Sequence, residues 1–147
     1  MTKLILLVED NASDEKLTLL ALRNCHVENQ VAVARDGVEA LDFLFATGLH
    51  AARDPSLLPA LVLLDLNLPK IDGLEVLRRI RAHDRTRDLP VVVLTSSRQD
   101  EDISQGYASG ANAYVRKPVD YDEFVEAAKA LGVFWLSLNE TPPPLVR

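Results

Sequence analysis

Leu61-Val62-Leu63-Leu64-Asp65-Leu66-Asn67-Leu68-Pro69, followed at once by Lys70-Ile71-Asp72-Gly73, decides how this chain folds. Four consecutive apolar residues fit a strand buried on both faces, and such strands belong in parallel sheets covered by helices. A carboxylate closes the run, and Asn67, Pro69 and Gly73 supply turn chemistry. Asp65 is thereby placed at the strand's C-terminal edge, where open parallel sheets bind their ligands. The pattern occurs twice more: Lys3-Leu4-Ile5-Leu6-Leu7-Val8 runs into Glu9-Asp10, and Val91-Val92-Val93-Leu94 runs into Thr95-Ser96-Ser97. Three strand ends thus offer polar groups that can converge on one site.

On both sides of this stretch the chain alternates strand and helix. Asn11 or Ser13 can cap a helix through about Cys25, with Leu17, Leu20 and Ala21 at helical spacing. Val31 to Ala34 reads as the second strand. Asp36-Gly37 then turns into a helix carrying Val38, Leu41, Leu44 and Phe45, which Gly48 stops. Gly48 to Pro59, with Pro55, is a long connection of about twelve residues, a surface insertion before the third strand. Gly73 opens a helix with Leu74, Leu77 and Ile80. A short helix around Asp102 to Ser109 follows the fourth strand, Ala113 to Val115 is the fifth, and a final helix begins near Tyr121. Five βα units of this kind imply an α/β fold: a doubly wound five-stranded parallel sheet with helices on both faces.

A length of 147 residues fits one compact domain, expected over residues 1–138 with an extended C-terminal helix, and residues 139–147 form a proline-rich tail. Sixteen Lys and Arg against 22 Asp and Glu, a net charge of -6, argue against a general nucleic-acid surface. The lone Cys25 excludes an intramolecular disulfide and a multi-cysteine metal cluster, and reads as a small buried hydrophobe on a helix. His26, His50 and His83 lack mutual ligand spacing. Leu4 to Val8 is too short for a signal peptide or a membrane span, so the expectation is a cytoplasmic protein with neither membrane nor direct DNA contact.

The chemistry follows from gathering the strand ends. Glu9, Asp10 and Asp65 would repel one another in one pocket unless a cation compensates them. Hard oxygen ligands without Cys or His partners favour Mg²⁺, which keeps several waters and coordinates phosphate readily. A carboxylate beside Mg²⁺ and a lysine, here Lys117, can attack a phosphoryl donor and become an acyl phosphate.

At this point the chain resembles the receiver domains of two-component response regulators. The resemblance lies in Val8-Glu9-Asp10-Asn11, Leu63-Leu64-Asp65-Leu66-Asn67-Leu68-Pro69 with Asp72-Gly73, Leu94-Thr95-Ser96-Ser97, and Tyr114-Val115-Arg116-Lys117-Pro118, spread over about the first 130 residues. It implies a flavodoxin-like sheet and a signalling domain that catalyses its own phosphorylation and dephosphorylation, rather than a metabolic enzyme. Asp65 would be the phosphoacceptor and Glu9 and Asp10 the acidic pair that organises Mg²⁺, Asp10 directly and Glu9 through water or a shifted geometry. The Asn67 carbonyl would be a further metal ligand, while its side chain would tune hydrolysis. Thr95 and Lys117 would hold the phosphoryl group, Tyr114 would swing inward with Thr95, and Lys117-Pro118 would form a cis peptide. The implied partner is a sensor histidine kinase.

Other readings stand beside these. Asp65 alone could be a solvated turn, Glu9 and Asp10 charges that favour a helix N-terminus, Thr95 a strand terminus, Lys117 a surface cation and Tyr114 a half-buried strand aromatic. A phosphorylation-independent interaction module would keep the fold without needing Asp10, Asp65, Thr95 and Lys117 together. An aspartyl-phosphate phosphohydrolase of the haloacid-dehalogenase kind would usually carry a second aspartate where this chain has Asn67.

The C-terminal helix is the second informative region. Phe124, Ala128, Leu131, Trp135 and Leu138 can form one stripe, which Val125, Val133, Phe134 and Leu136 widen beyond one core face. Such a surface suggests a partner, or a helix lying across the domain's own core. Gly132 weakens this helix and is expected to bend it. Phe134-Trp135-Leu136-Ser137-Leu138-Asn139 followed by Pro142-Pro143, with the long segment before the third strand, resembles stand-alone receivers serving bacterial phytochrome-type histidine kinases. That resemblance implies a homodimer through the fourth and fifth helices, with Phe134, Trp135 and Leu136 on the dimer surface.

Overall fold

The computed structural model describes residues 2–96 and 99–143, so Ser97 of the Thr95 motif and the last four tail residues lie outside the described residues. Strands β1 (Lys3–Val8), β2 (Asn29–Ala34), β3 (Leu61–Leu64), β4 (Val91–Thr95) and β5 (Ala113–Arg116) alternate with helices. These are α1 (Ala12–Arg23), α2 (Gly37–Phe45), α3 (Gly73–Ala82), α4 (Asp100–Ala108) and α5 (Tyr121–Val133). The strands form one parallel sheet in the order β2-β1-β3-β4-β5. The order reverses between β1 and β3, which opens a crevice beyond their C-terminal ends.

The apolar runs bury both faces. Ile5, Leu7, Leu61, Leu63 and Val92 pack beneath Leu22 of α1 and Leu136, with Ala21, Phe124 and Ala128 extending that layer. Leu6, Val8, Val62 and Leu64 face the other way, under Leu41, Leu44, Val76, Leu77 and Ile80 of α2 and α3. A strand's two-residue period divides each run between the layers.

Four helices start at the sheet's C-terminal edge with the same device. Asn11, Asp36, Asp72 and Asp120 accept hydrogen bonds from the backbone N–H groups of Asp14, Glu39, Glu75 and Glu123. Each cap is worth about 1 kcal/mol and fixes where its helix begins. Gly73 is required by closeness: a Cβ there would stand 2.4 Å from the Asp65 carbonyl oxygen, so only glycine lets α3 start against the end of β3.

Several expectations need correction. Leu20 is 45% exposed, so α1 buries Thr18, Ala21 and Leu22 instead. Cys25 is buried but lies just past α1, beyond its cap Asn24. The long insertion holds a 3-10 turn, Gly48–His50. It is tied to α2 by Arg53, whose guanidinium lies 3.6 Å from the Phe43 ring centroid and donates to the Phe43 and Leu57 carbonyls. The described peptide bonds are all trans, Lys117-Pro118 included, against the expected cis bond.

The C-terminal region departs most. After Val133 the chain makes a π-helical turn, Phe134–Leu138, closed by the Asn139 N–H donating to the Phe134 carbonyl at 2.7 Å. The wider turn breaks the 3.6-residue period on which one continuous stripe depends. Leu136 is consequently buried against the sheet and Trp135 half-buried beside it, whereas Phe134 and Leu138 stay exposed. Leu136 therefore belongs to the core and is removed from the expected dimer surface. Gly132, expected to bend the helix, is buried where a Cβ would stand 3.0 Å from Leu22 and 3.1 Å from the Cys25 sulfur, so its role is close packing of α5 on α1.

Candidate functional site

The crevice gathers side chains from four strand ends and the start of α1. Asp65 follows directly on β3, and its carboxylate is buried and gripped through both oxygens. Oδ1 accepts from the Thr95 hydroxyl at 2.9 Å and from the Asn67 N–H at 3.0 Å, while Oδ2 accepts from Lys117 Nζ at 2.7 Å. Thr95 ends β4, and its carbonyl accepts from the Lys117 N–H at 2.8 Å, so the β4–β5 ladder delivers Lys117 to the carboxylate.

Beside them, Glu9 follows directly on β1 and is buried. Its Oε1 accepts from Lys117 Nζ at 2.5 Å and its Oε2 from the Asn11 N–H at 3.2 Å. Burial raises the Glu9 pKa to about 7, against the opposing pull of the Lys117 hydrogen bond and charge; the negative Asp65 adds to the rise. For Lys117, burial works against the charge, but hydrogen bonds to Asp14, Asp65 and Glu9 outweigh it and hold the ammonium above its ordinary range. Lys117 thus stays a cation, and the Glu9 carboxyl holds a proton to higher pH than an ordinary carboxylate does.

Glu9, Asp10 and Asp65 each place a carboxylate oxygen within 4.8 Å of the other two. Asp10 is exposed while its two neighbours are buried, which leaves one side of the cluster open to solvent. An all-oxygen, half-open donor set suits a small hard cation that keeps part of its water, so these residues fit Mg²⁺.

Tyr114, on β5, is half-buried, and its ring lies against α4 where a Cβ on Gly106 would stand 3.2 Å away. The Asn67 side chain is exposed at the rim. The structure therefore brings Glu9, Asp10, Asp65, Thr95, Lys117 and the Asn67 backbone into one pocket, with Tyr114 at the β5 margin.

Sequence reasoning missed one member. Asp14, in the first turn of α1, accepts from Lys117 Nζ at 2.8 Å. The signal was its position four residues after Asp10, one turn into a helix capped by Asn11 at the same edge.

Comparison with known proteins agrees with this geometry. The family model for the response regulator receiver domain matches residues 5–129. The chain belongs to the response regulator receiver family. The phosphorylated cyanobacterial phytochrome response regulator RcpA superposes with a TM-score of 0.90 at 39% identity, covering 97% of this chain and 100% of its own. Response regulator Rcp1 of Synechocystis sp. is 36% identical over 95% of this chain and 93% of its own length. A Mn²⁺-bound structure of Rcp1 gives a TM-score of 0.88, covering 96% of this chain and 99% of that one. The bacteriophytochrome response regulator AtBRR is 54% identical with a TM-score of 0.74, over 95% of this chain and 99% of its own. A receiver domain is a signalling relay, and this receiver carries an acidic cluster suited to a divalent metal. No helix among the described residues is long and apolar enough to cross a membrane.

Proposed function

We propose that this receiver is a cytoplasmic single-domain response regulator that takes a phosphoryl group from a histidine kinase onto Asp65. The observation that carries the reading is the grip on the Asp65 carboxylate, Lys117 Nζ at 2.7 Å on one oxygen and the Thr95 hydroxyl at 2.9 Å on the other. A carboxylate oxygen attacks the phosphorus of a phosphohistidine; the P–N bond breaks and its electron pair leaves with the imidazole, which takes a proton from solvent. Lys117 and Thr95 supply a cation and a hydroxyl donor for the phosphoryl oxygens, so this chain contributes chiefly positioning and electrostatics. Bound Mg²⁺, held by Glu9, Asp10, Asp65 and the Asn67 carbonyl, would supply positive charge to the phosphoryl oxygens. As Thr95 turns to the phosphoryl group, the Tyr114 ring follows it inward.

The kinase is of the phytochrome type on this reading, supported by the likeness over nearly the full chain to RcpA, Rcp1 and AtBRR. The output is a protein contact, and homodimerisation on the α4–α5 side, using exposed Phe134 and half-buried Trp135, is part of the proposal.

Intact-protein mass spectrometry after incubation with a small phosphoramidate tests the central claim. A Mg²⁺-dependent gain of one phosphoryl group is expected in the wild-type chain and none in Asp65→Asn, which keeps the shape and loses the nucleophile. Equal labelling of Asp65→Asn would remove Asp65 as the acceptor, and a wild-type chain that stays unlabelled even with its kinase would favour a binding module.

A further inference from the structure

Lys117 has three N–H donors, and carboxylates take all three: Glu9 at 2.5 Å, Asp65 at 2.7 Å and Asp14 at 2.8 Å. A phosphoryl group on Asp65 brings further oxygens that need the same cation. A fully engaged ammonium takes a new acceptor only by releasing an old one. The three carboxylates differ in what release costs them, because the side chains of Glu9 and Asp65 are 2% and 7% exposed while that of Asp14 is 27% exposed. Freed from Lys117, Glu9 or Asp65 would leave a charge away from water, whereas Asp14 can turn out to solvent at small cost.

We propose that Asp14 is a positioning residue: it is the releasable partner that holds Lys117 in the unmodified chain, yields it to the arriving phosphoryl group, and so limits how fast Asp65 is phosphorylated. The inference rests on the reading of Asp65 as the phosphoacceptor. Asp14 acts through Lys117 Nζ, and removing its charge weakens that contact, so that one Lys117 donor passes more readily to a phosphoryl oxygen.

The test is the initial rate of acyl-phosphate formation from a small phosphoramidate at saturating Mg²⁺, in the full chain. Asp14→Asn is expected to accelerate it about threefold to tenfold, the size of one partly exposed charge contact. Asp14→Glu, which keeps a carboxylate within reach, is expected to restore the wild-type rate. The same Asp14→Asn change on a Lys117→Ala background should have no effect, because the residue through which Asp14 acts is gone. Where rates on that background fall below detection, affinity for beryllium fluoride, an acyl-phosphate mimic, gives the same four-chain comparison. An unchanged or slower rate in Asp14→Asn overturns the proposal, as does an acceleration that persists without Lys117, which would mark simple repulsion of the anionic donor. A wild-type chain that accepts no phosphoryl group overturns the reading of Asp65 and this inference with it. A phosphorylated wild type matched by Asp14→Asn overturns this inference alone.

Discussion

The two edges of the sheet are built on opposite principles. At the C-terminal edge, Glu9 and Asp65 are buried around one cation, Lys117, with Asp14 and Asp10 at the margin. At the N-terminal edge, Leu136 and Trp135 of the π-helical turn join the apolar cluster that holds Ile5, Ala60 and Leu61. A cavity of about 650 Å³ lies there too, lined by Lys3, Leu58, Pro59, Leu89, Trp135 and Pro142, with none of the acidic cluster among its walls. Buried like charges cost stability unless compensated, while buried apolar area supplies it. The reactive edge is therefore held in place by the rest of the fold rather than contributing to it, which leaves its charges free to respond to a metal or a phosphoryl group.

The largest expected effect breaks the reactive edge. Lys117→Ala strands Glu9 and Asp65 without their cation and should lower the stability of the metal-free chain by about 4 kcal/mol, as loss of one partner from a buried ion cluster does. Urea denaturation with and without Mg²⁺ measures it, and the metal should recover part of the loss by supplying positive charge. If the variant unfolds at the wild-type urea concentration, the pocket's charges are not held in balance by Lys117.

A smaller effect is expected at the other edge. Leu136→Ala empties space in the apolar cluster that includes Ile5 and Leu61 and should cost about 3 kcal/mol, with no response to Mg²⁺. Phe134→Ala, two residues earlier and 47% exposed, should stay within about 0.5 kcal/mol in the monomer. The two residues look alike in the sequence, so equal losses would show that the π-helical turn does not separate them.

What the sequence made legible divides along the same line. Asp65, Glu9, Thr95 and Lys117 could be placed because each ends or follows a short apolar run, and a parallel sheet puts all such ends at one edge. Asp14 was legible only as a residue one turn into α1 at the same edge, since its reach to Lys117 depends on the direction in which that turn leaves β1. Leu136 was misplaced for a different reason: extrapolating a 3.6-residue period cannot foresee the extra residue that the turn from Phe134 accommodates. The strands from Leu61 and Val91 were legible almost to the residue, because an unbroken apolar run leaves a strand little choice. Exposure of Leu20 was not, because helix α1 has apolar residues on more than one side and only packing chooses among them.

The finest distinction between the edges is their response to pH, and it turns on Glu9. Burial raises its pKa from the ordinary 4.5 of a glutamate to about 7 in the metal-free fold. Between those values the folded chain binds a proton that the unfolded chain has lost, so this group's contribution is fully present below the unfolded pKa and disappears as pH rises through about 7. The size is on the order of 3 kcal/mol. Other carboxylates work in the opposite sense: Asp36, whose pKa is lowered by the Glu39 N–H and then by Lys70, contributes above the ordinary carboxylate range and loses that contribution in acid. The measurable quantity is therefore the difference between the wild-type chain and Glu9→Gln in urea midpoint from pH 5 to pH 8 without metal. The wild type should lose stability relative to Glu9→Gln over that range, and parallel profiles would place the proton elsewhere. Mg²⁺ requires the ionised carboxylate, so its affinity for the wild type should rise over the same range, while in Glu9→Gln it should be weaker and nearly flat. Leu136→Ala, at the apolar edge, should leave both the proton and the metal profile as they are in the wild type, because nothing it touches changes charge.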